Sequence, residues 1–83
     1  MKNKYIFSEH LKKRIEERNL EEKWITETLI NPDKNEKIAE DEEYFFKKII
    51  EFADKCLKVV VNPLTNIVIT AFFDRKMTKK NCK

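Results

Sequence analysis

The sequence contains no glycine among its 83 residues, and only two prolines, two cysteines and one histidine. Walker-type and dinucleotide-binding loops need backbone that approaches phosphate closely and adopts positive φ, so the lack of glycine excludes nucleotide cofactors bound in that way. No cofactor is expected. Cys56 and Cys82 have no partner at metal-ligand spacing and no histidine cluster near them, so no zinc site is expected either. The pair permits a disulfide without implying one: Cys56 opens an apolar run and reads as a small core or strand-end residue, while Cys82 reads as part of a loose tail. Also missing are an opening apolar segment of signal-peptide type and any run near the roughly 20 apolar residues that cross a bilayer. The expectation is a cytoplasmic protein that does not contact membranes.

What is present suits a small, heavily ionic globule. Hydrophobic residues make up 41% and charged residues 40% of the chain, enough for one core under a charged surface, with room for one site. The many lysines and glutamates, with short connections, fit a heat-adapted source. The net charge of +3 is unevenly placed. Asp74 to Lys83 holds Arg75, Lys76, Lys79, Lys80 and Lys83 against Asp74, a local charge of +4, which leaves −1 for everything before it. The expected organisation is one domain over residues 1–74 and a basic tail over 75–83. Such a tail can touch nucleic acid or an acidic partner, but reads first as a solvated terminus. Glu36 to Glu43 has five acids against Lys37 and repels phosphate, so an RNA surface has to lie elsewhere.

Ser8 offers an N-cap to a helix over about Glu9 to Arg18, with Phe7 able to staple onto Leu11. Asn19 breaks that helix and is expected to cap a second, over roughly Leu20 to Ile30, with Glu22 completing a capping box. Trp24, Ile25, Thr28 and Leu29 form the second helix's buried stripe, and Asn31-Pro32 ends it. Beyond Pro32 the aromatic and β-branched content predicts strands around Lys37 to Glu40, Tyr44 to Phe52, Cys56 to Val61 and Asn66 to Phe73. Asn62 to Asn66 reads as the turn of the last hairpin. In the final strand Ile67, Ile69, Ala71 and Phe73 are expected on one face, and the core to hold Leu11, Ile15, Trp24, Ile25, Leu29, Val59, Val61, Ile67 and Ile69. With both sheet faces largely apolar, one is expected under helices and the other against a partner or curved around a concave surface.

The chemistry is concentrated on the first helix, where His10, Arg14 and Arg18 recur every four residues. On a helical wheel with Leu11 at the origin, Arg18 lies about 20° away, Arg14 about 60° and His10 about 100°, all to the same side. Both guanidiniums therefore flank the core, where they need an anionic partner, and an imidazole beside them can move a proton near neutral pH. That suits handling a phosphate. The plainer alternative is that Arg18 snorkels over the core and pairs with a carboxylate such as Glu22, and that His10 is a surface residue.

Ser8, His10, Arg14 and Arg18, then Asn31-Pro32-Asp33 and Val68-Ile69-Thr70, resemble a family of small bacterial and archaeal domains of unknown function. Members carry a Ser-x-His-x-x-x-Arg-x-x-x-Arg helix. The resemblance covers nearly all of the chain up to Asp74. The family commonly has alanine after the histidine and glycine after the last arginine, where Leu11 and Asn19 stand here; asparagine tolerates the left-handed backbone. By fold these domains are grouped with RelE-like and BrnT-like toxins, in the barnase–EndoU–colicin–RelE nuclease group.

The resemblance implies an α+β fold, two N-terminal helices packed on a 3–4-stranded antiparallel β-meander. It also implies a metal-independent endoribonuclease of toxin type. His10 becomes the general acid or base, Arg14 and Arg18 hold the scissile phosphate, and Thr70 positions it from the last strand. Lys47, Lys48 and Lys58, with Arg75 and Lys76, are candidates for further RNA contacts, although adjacent Lys47 and Lys48 must face opposite ways. Transesterification by a ribose 2′-hydroxyl needs a base, an acid and stabilisation of the phosphorane charge, without metal. A second proton-transfer group is not evident; Tyr44 and Glu17 are the nearest substitutes. The alternatives are a non-catalytic nucleic-acid-binding module and a protein-interaction module that meets an antitoxin-like protein, or a second copy, through its apolar sheet face.

Overall fold

The computed structural model describes residues 5–83; residues 1–4 of the expected domain lie outside the described residues. The elements in chain order are β1 (Ile6–Phe7), α1 (Glu9–Glu17), α2 (Glu22–Ile30), β2 (Lys34–Ala39), β3 (Glu42–Ile49), a 3₁₀ turn (Ile50–Phe52), β4 (Lys55–Asn62), β5 (Ile67–Phe73) and α3 (Arg75–Lys79). β2 to β5 form the expected antiparallel meander. β1 joins it parallel to β5, which makes a mixed five-stranded sheet in the order β1-β5-β4-β3-β2. Two residues without alternation carry no strand signal in sequence, so the fifth strand was not legible there.

α1 starts where Ser8 predicts, its hydroxyl accepting from the Leu11 amide at 3.0 Å. It ends in a Schellman turn: Asn19 takes φ 53° and the Leu20 amide reaches back to the Ile15 carbonyl at 3.1 Å. Asn19 thus closes α1 and does not cap α2, which begins two residues beyond Leu20 after an extended Glu21 with no side-chain cap. The expected stripe of Trp24, Ile25, Thr28 and Leu29 is buried, and the Thr28 hydroxyl donates to the Trp24 carbonyl at 2.7 Å.

The strand expected over Tyr44 to Phe52 stops at Ile49. The 3₁₀ turn follows, and Ala53 and Asp54 both adopt φ 55°, left-handed positions that in this glycine-free chain fall to residues with a Cβ. The turn before β5 forms as expected, with the Asn62 carboxamide oxygen accepting from Leu64 and Asn66 at φ 60°.

A β-bulge corrects the expected face of β5. Val60 pairs with Thr70 but Val61 pairs with Val68, which leaves Ile69 as the extra residue. Val68, Ala71 and Phe73 therefore join Leu57, Val59 and Val61 on the face toward α1 and α2, while Ile69 is 39% exposed and Ile67 only half-buried. Ile15 is likewise at the core's margin.

The opposite face is partly covered by the chain itself. The segment expected as a solvated tail folds into α3, capped by Asp74, whose carboxylate accepts from the Met77 amide at 3.0 Å. Met77 and Cys82 pack with Phe46 and Cys56, and a disulfide joins Cys56 to Cys82 across a separation of 26 residues. On the loop-entropy model a closure of this length stabilises the fold by about 3.5 kcal/mol. A sheet partner is thus not needed to cover this part of the face.

The bulge is testable by two alanine substitutions. Val68→Ala should cost about 2 to 3 kcal/mol, because it removes two buried methyls and leaves a cavity, whereas Ile69→Ala should cost below about 1 kcal/mol. Urea denaturation measures both; equal losses would contradict the register.

Candidate functional site

Ser8 brings α1 to β5. Its amide donates to the Val68 carbonyl at 3.1 Å and its hydroxyl donates to the Ile69 carbonyl, at the bulge, at 2.8 Å, while the same oxygen caps Leu11. One hydroxyl thus ends β1, satisfies the bulge and starts the helix. Because β1 pairs only with Ile67 and Val68, β5 has no strand neighbour on that side beyond the bulge among the described residues.

α1 runs beside this open edge. Arg14 and Arg18, one turn apart, line a cleft of about 310 Å³ with Thr70, Ala71 and Phe72. Thr70 and Phe72 belong to the sheet's second face by register and Ala71 to the first, so the cleft straddles the edge rather than lying on either face. Arg14 is half-buried and Arg18 exposed. Neither forms an ion pair or hydrogen bond through its side chain among the described residues, and the expected Glu22 partner does not reach Arg18. Two arginines one turn apart without a carboxylate partner, in a cleft that Thr70 also lines, suit bidentate capture of a phosphate oxygen pair.

His10 sits one turn before Arg14 on an exposed part of α1, without a hydrogen-bond partner among the described residues, and it does not line the cleft. The structure therefore brings Arg14, Arg18 and Thr70 to one cleft and leaves His10 outside it. Tyr44 is no substitute proton donor there. It lies on the second face, where its hydroxyl donates to the Glu42 carboxylate at 3.0 Å, and that bond holds the phenol above its ordinary pKa. Glu17 is exposed in the last turn of α1.

The further RNA contacts do not gather into one patch. Lys47 points toward the helices and donates to the Asn31 carbonyl at 3.1 Å, closing the C-terminus of α2 as a cation should. Lys48, facing the other way, lines a cleft of about 410 Å³ with Asp33 and the last three residues. Lys58 lies on the second face with its ammonium 3.9 Å from the Tyr44 ring centroid and 5.5 Å from that of Phe72, and it does not line the cleft of Arg14 and Arg18. Arg75 and Lys76 are exposed on α3, where Arg75 lines a different cleft with Lys55 and Lys79. Among the described residues no three His, Cys, Asp or Glu side chains group to hold a metal ion, and no helix is long and apolar enough to cross a membrane.

Residues 7–73 match the family model described as Domain of unknown function (DUF4258), and the chain belongs to that family. The match runs from the residue before Ser8 to the end of β5, so it takes in the cleft and stops short of α3. Neither the curated proteins nor the solved structures contain a match.

The unpaired state of the arginines has a measurable consequence. Arg14→Met and Arg18→Met, which keep the aliphatic stem over the core, should each change stability by less than about 0.5 kcal/mol in urea denaturation. A loss of about 2 kcal/mol or more would mean that the guanidinium serves the fold.

Proposed function

We propose that this chain is a RelE-like, metal-independent endoribonuclease of toxin type that acts on RNA phosphodiesters at the Arg14–Arg18–Thr70 cleft. The observation that carries the reading is that Arg14 and Arg18, which have no carboxylate partner among the described residues, line one cleft with Thr70 at the edge of β5. Arg14 and Arg18 take the non-bridging oxygens of the scissile phosphate and offset the charge that grows as the phosphorane forms. Thr70 fixes the phosphate from β5. The adjacent ribose 2′-hydroxyl attacks phosphorus, the bond to the 5′-oxygen breaks, and the products are a 2′,3′-cyclic phosphate and a 5′-hydroxyl end. His10, one turn before Arg14 on α1, takes the 2′-proton or delivers one to the leaving oxygen, and water serves the other transfer. RNA lying along α1 passes His10 before it reaches Arg14.

Acting on cellular RNA requires a cytoplasmic location. A buried disulfide persists there in heat-adapted cells, in keeping with the lysine- and glutamate-rich composition. An antitoxin-like protein or a second copy of the chain remains the partner that the reading calls for. One observation favours a second reading: His10 is outside the cleft, so the same arginines would serve a non-catalytic nucleic-acid-binding module equally well.

Cleavage assays separate the two. Purified protein should cut single-stranded RNA in EDTA and leave cyclic-phosphate ends, and His10→Ala should slow cleavage about 10²-fold or more with RNA affinity nearly intact. RNA binding without cleavage would select the binding module. Cleavage untouched by His10→Ala would remove the proposed role of the imidazole.

A further inference from the structure

We infer that a second cleft, between α3 and the start of β4, binds single-stranded nucleic acid by stacking a base on the Phe52–Phe73 pair and holding the adjoining phosphates on Lys55, Arg75 and Lys79. The inference needs binding alone and does not rest on RNA cleavage at Arg14 and Arg18. The cleft, of about 280 Å³, is lined by Lys55, Phe73, Arg75, Thr78 and Lys79. Phe73 stacks on Phe52 with ring centroids 4.6 Å apart and planes 19° from parallel, and Phe52 remains 38% exposed. Lys55 lies 5.1 Å from the Phe52 ring centroid, so cation and aromatic surface are adjacent.

None of the three cations forms an ion pair among the described residues. The carboxylate next to Arg75 in sequence, Asp74, is engaged as the cap of α3. The Thr78 hydroxyl is also engaged, donating to the Asp74 carbonyl and accepting from the Cys56 amide, so recognition falls to the cations and the rings. Three cations beside an aromatic platform are the combination that single-stranded nucleic acid requires: every base has a face to stack and every linkage carries a charge.

The platform is also fixed. α3 is tied to β4 by the Cys56–Cys82 bond and by Met77 in the second core, so Arg75 and Lys79 are held on an anchored helix. Both lie beyond residues 7–73, the part of the chain that matches the family model. The last residues, where the positive charge is concentrated, thus add two cations to Phe52, Lys55 and Phe73, which lie within the matched part.

Trp24, the single tryptophan, reports on this site, since its ring centroid lies 5.5 Å from Phe52 and 6.0 Å from Phe73. The test uses oligodeoxyadenylate and 2′-O-methyl oligoadenylate about twelve nucleotides long, a length within the span of a single-strand site. Neither can undergo 2′-hydroxyl transesterification. At about 50 mM salt, titration should give a saturable change in Trp24 emission that tracks fluorescence anisotropy of the labelled strand. A Lys55→Ala/Lys79→Ala double variant should bind at least tenfold more weakly and flatten the slope of log K against log salt by about 1.4. Phe52→Leu, which keeps an apolar side chain for the core, should weaken binding by about fivefold or more. Comparison of the two strands tells whether the sugar matters. Anisotropy without a Trp24 response, wild-type affinity in the double variant, or no binding at this salt would each overturn the inference. The cleavage assay in EDTA remains free to succeed or fail on its own.

Discussion

The hydroxyl of Ser8 is the interaction on which the rest of the architecture depends. It accepts one hydrogen bond, from Leu11 at the head of α1, and donates one, to the carbonyl of the bulge residue Ile69. A serine hydroxyl has one proton to give, and here it goes to the β5 position displaced from the β4 ladder. The consequences run outward from that point. β1 ends after two residues, α1 starts directly behind Ser8, and the edge of β5 beyond the bulge has no strand beside it among the described residues. Arg14 and Arg18 then face that edge because they lie on the side of α1 next to Leu11, which is fully buried.

The distribution of charge completes the site. All four ion pairs among the described residues use lysine: Lys12 with Glu9, Lys23 with Glu21 and Glu51, and Lys34 with Glu36. These are solvent-screened pairs that add little to stability. None of them involves an arginine, and no carboxylate reaches the planar, bidentate guanidiniums of Arg14 and Arg18 among the described residues. The second cluster of unpartnered cations, on α3, arises by a different route, through a disulfide that fixes the last residues against the sheet.

The helices and the meander were legible because their signals are local. The cap at Ser8, the stripe from Trp24 to Leu29 and the aromatic and β-branched runs each lie within one element. The misplaced features depend on contacts distant in sequence. The bulge is set by a serine 61 residues away, so simple alternation put Ile69 in the core instead of Val68. The basic tail looked solvated because nothing near Cys82 reveals that Cys56 is its partner. Among the site residues, the four-residue spacing correctly put Arg14 and Arg18 on one flank. It carried no information on the strand edge that receives them, nor on the offset that leaves His10 outside the cleft. Lys47 and Lys58 carry charge, but Lys47 closes a helix and Lys58 packs on Tyr44, and neither lines the cleft.

The most direct test of the account is a nitrogen-15 NMR titration with a dinucleoside monophosphate that lacks the attacking 2′-hydroxyl. The prediction is that the side-chain Nε–Hε signals of Arg14 and Arg18 and the backbone amides of Thr70 to Phe72 shift together along one saturation curve. Phosphate contact at the β5 edge requires all of them to respond. If the ligand saturates the protein while both arginine side chains and these amides stay in place, the Ser8-built cleft is not a phosphate site and the central claim fails.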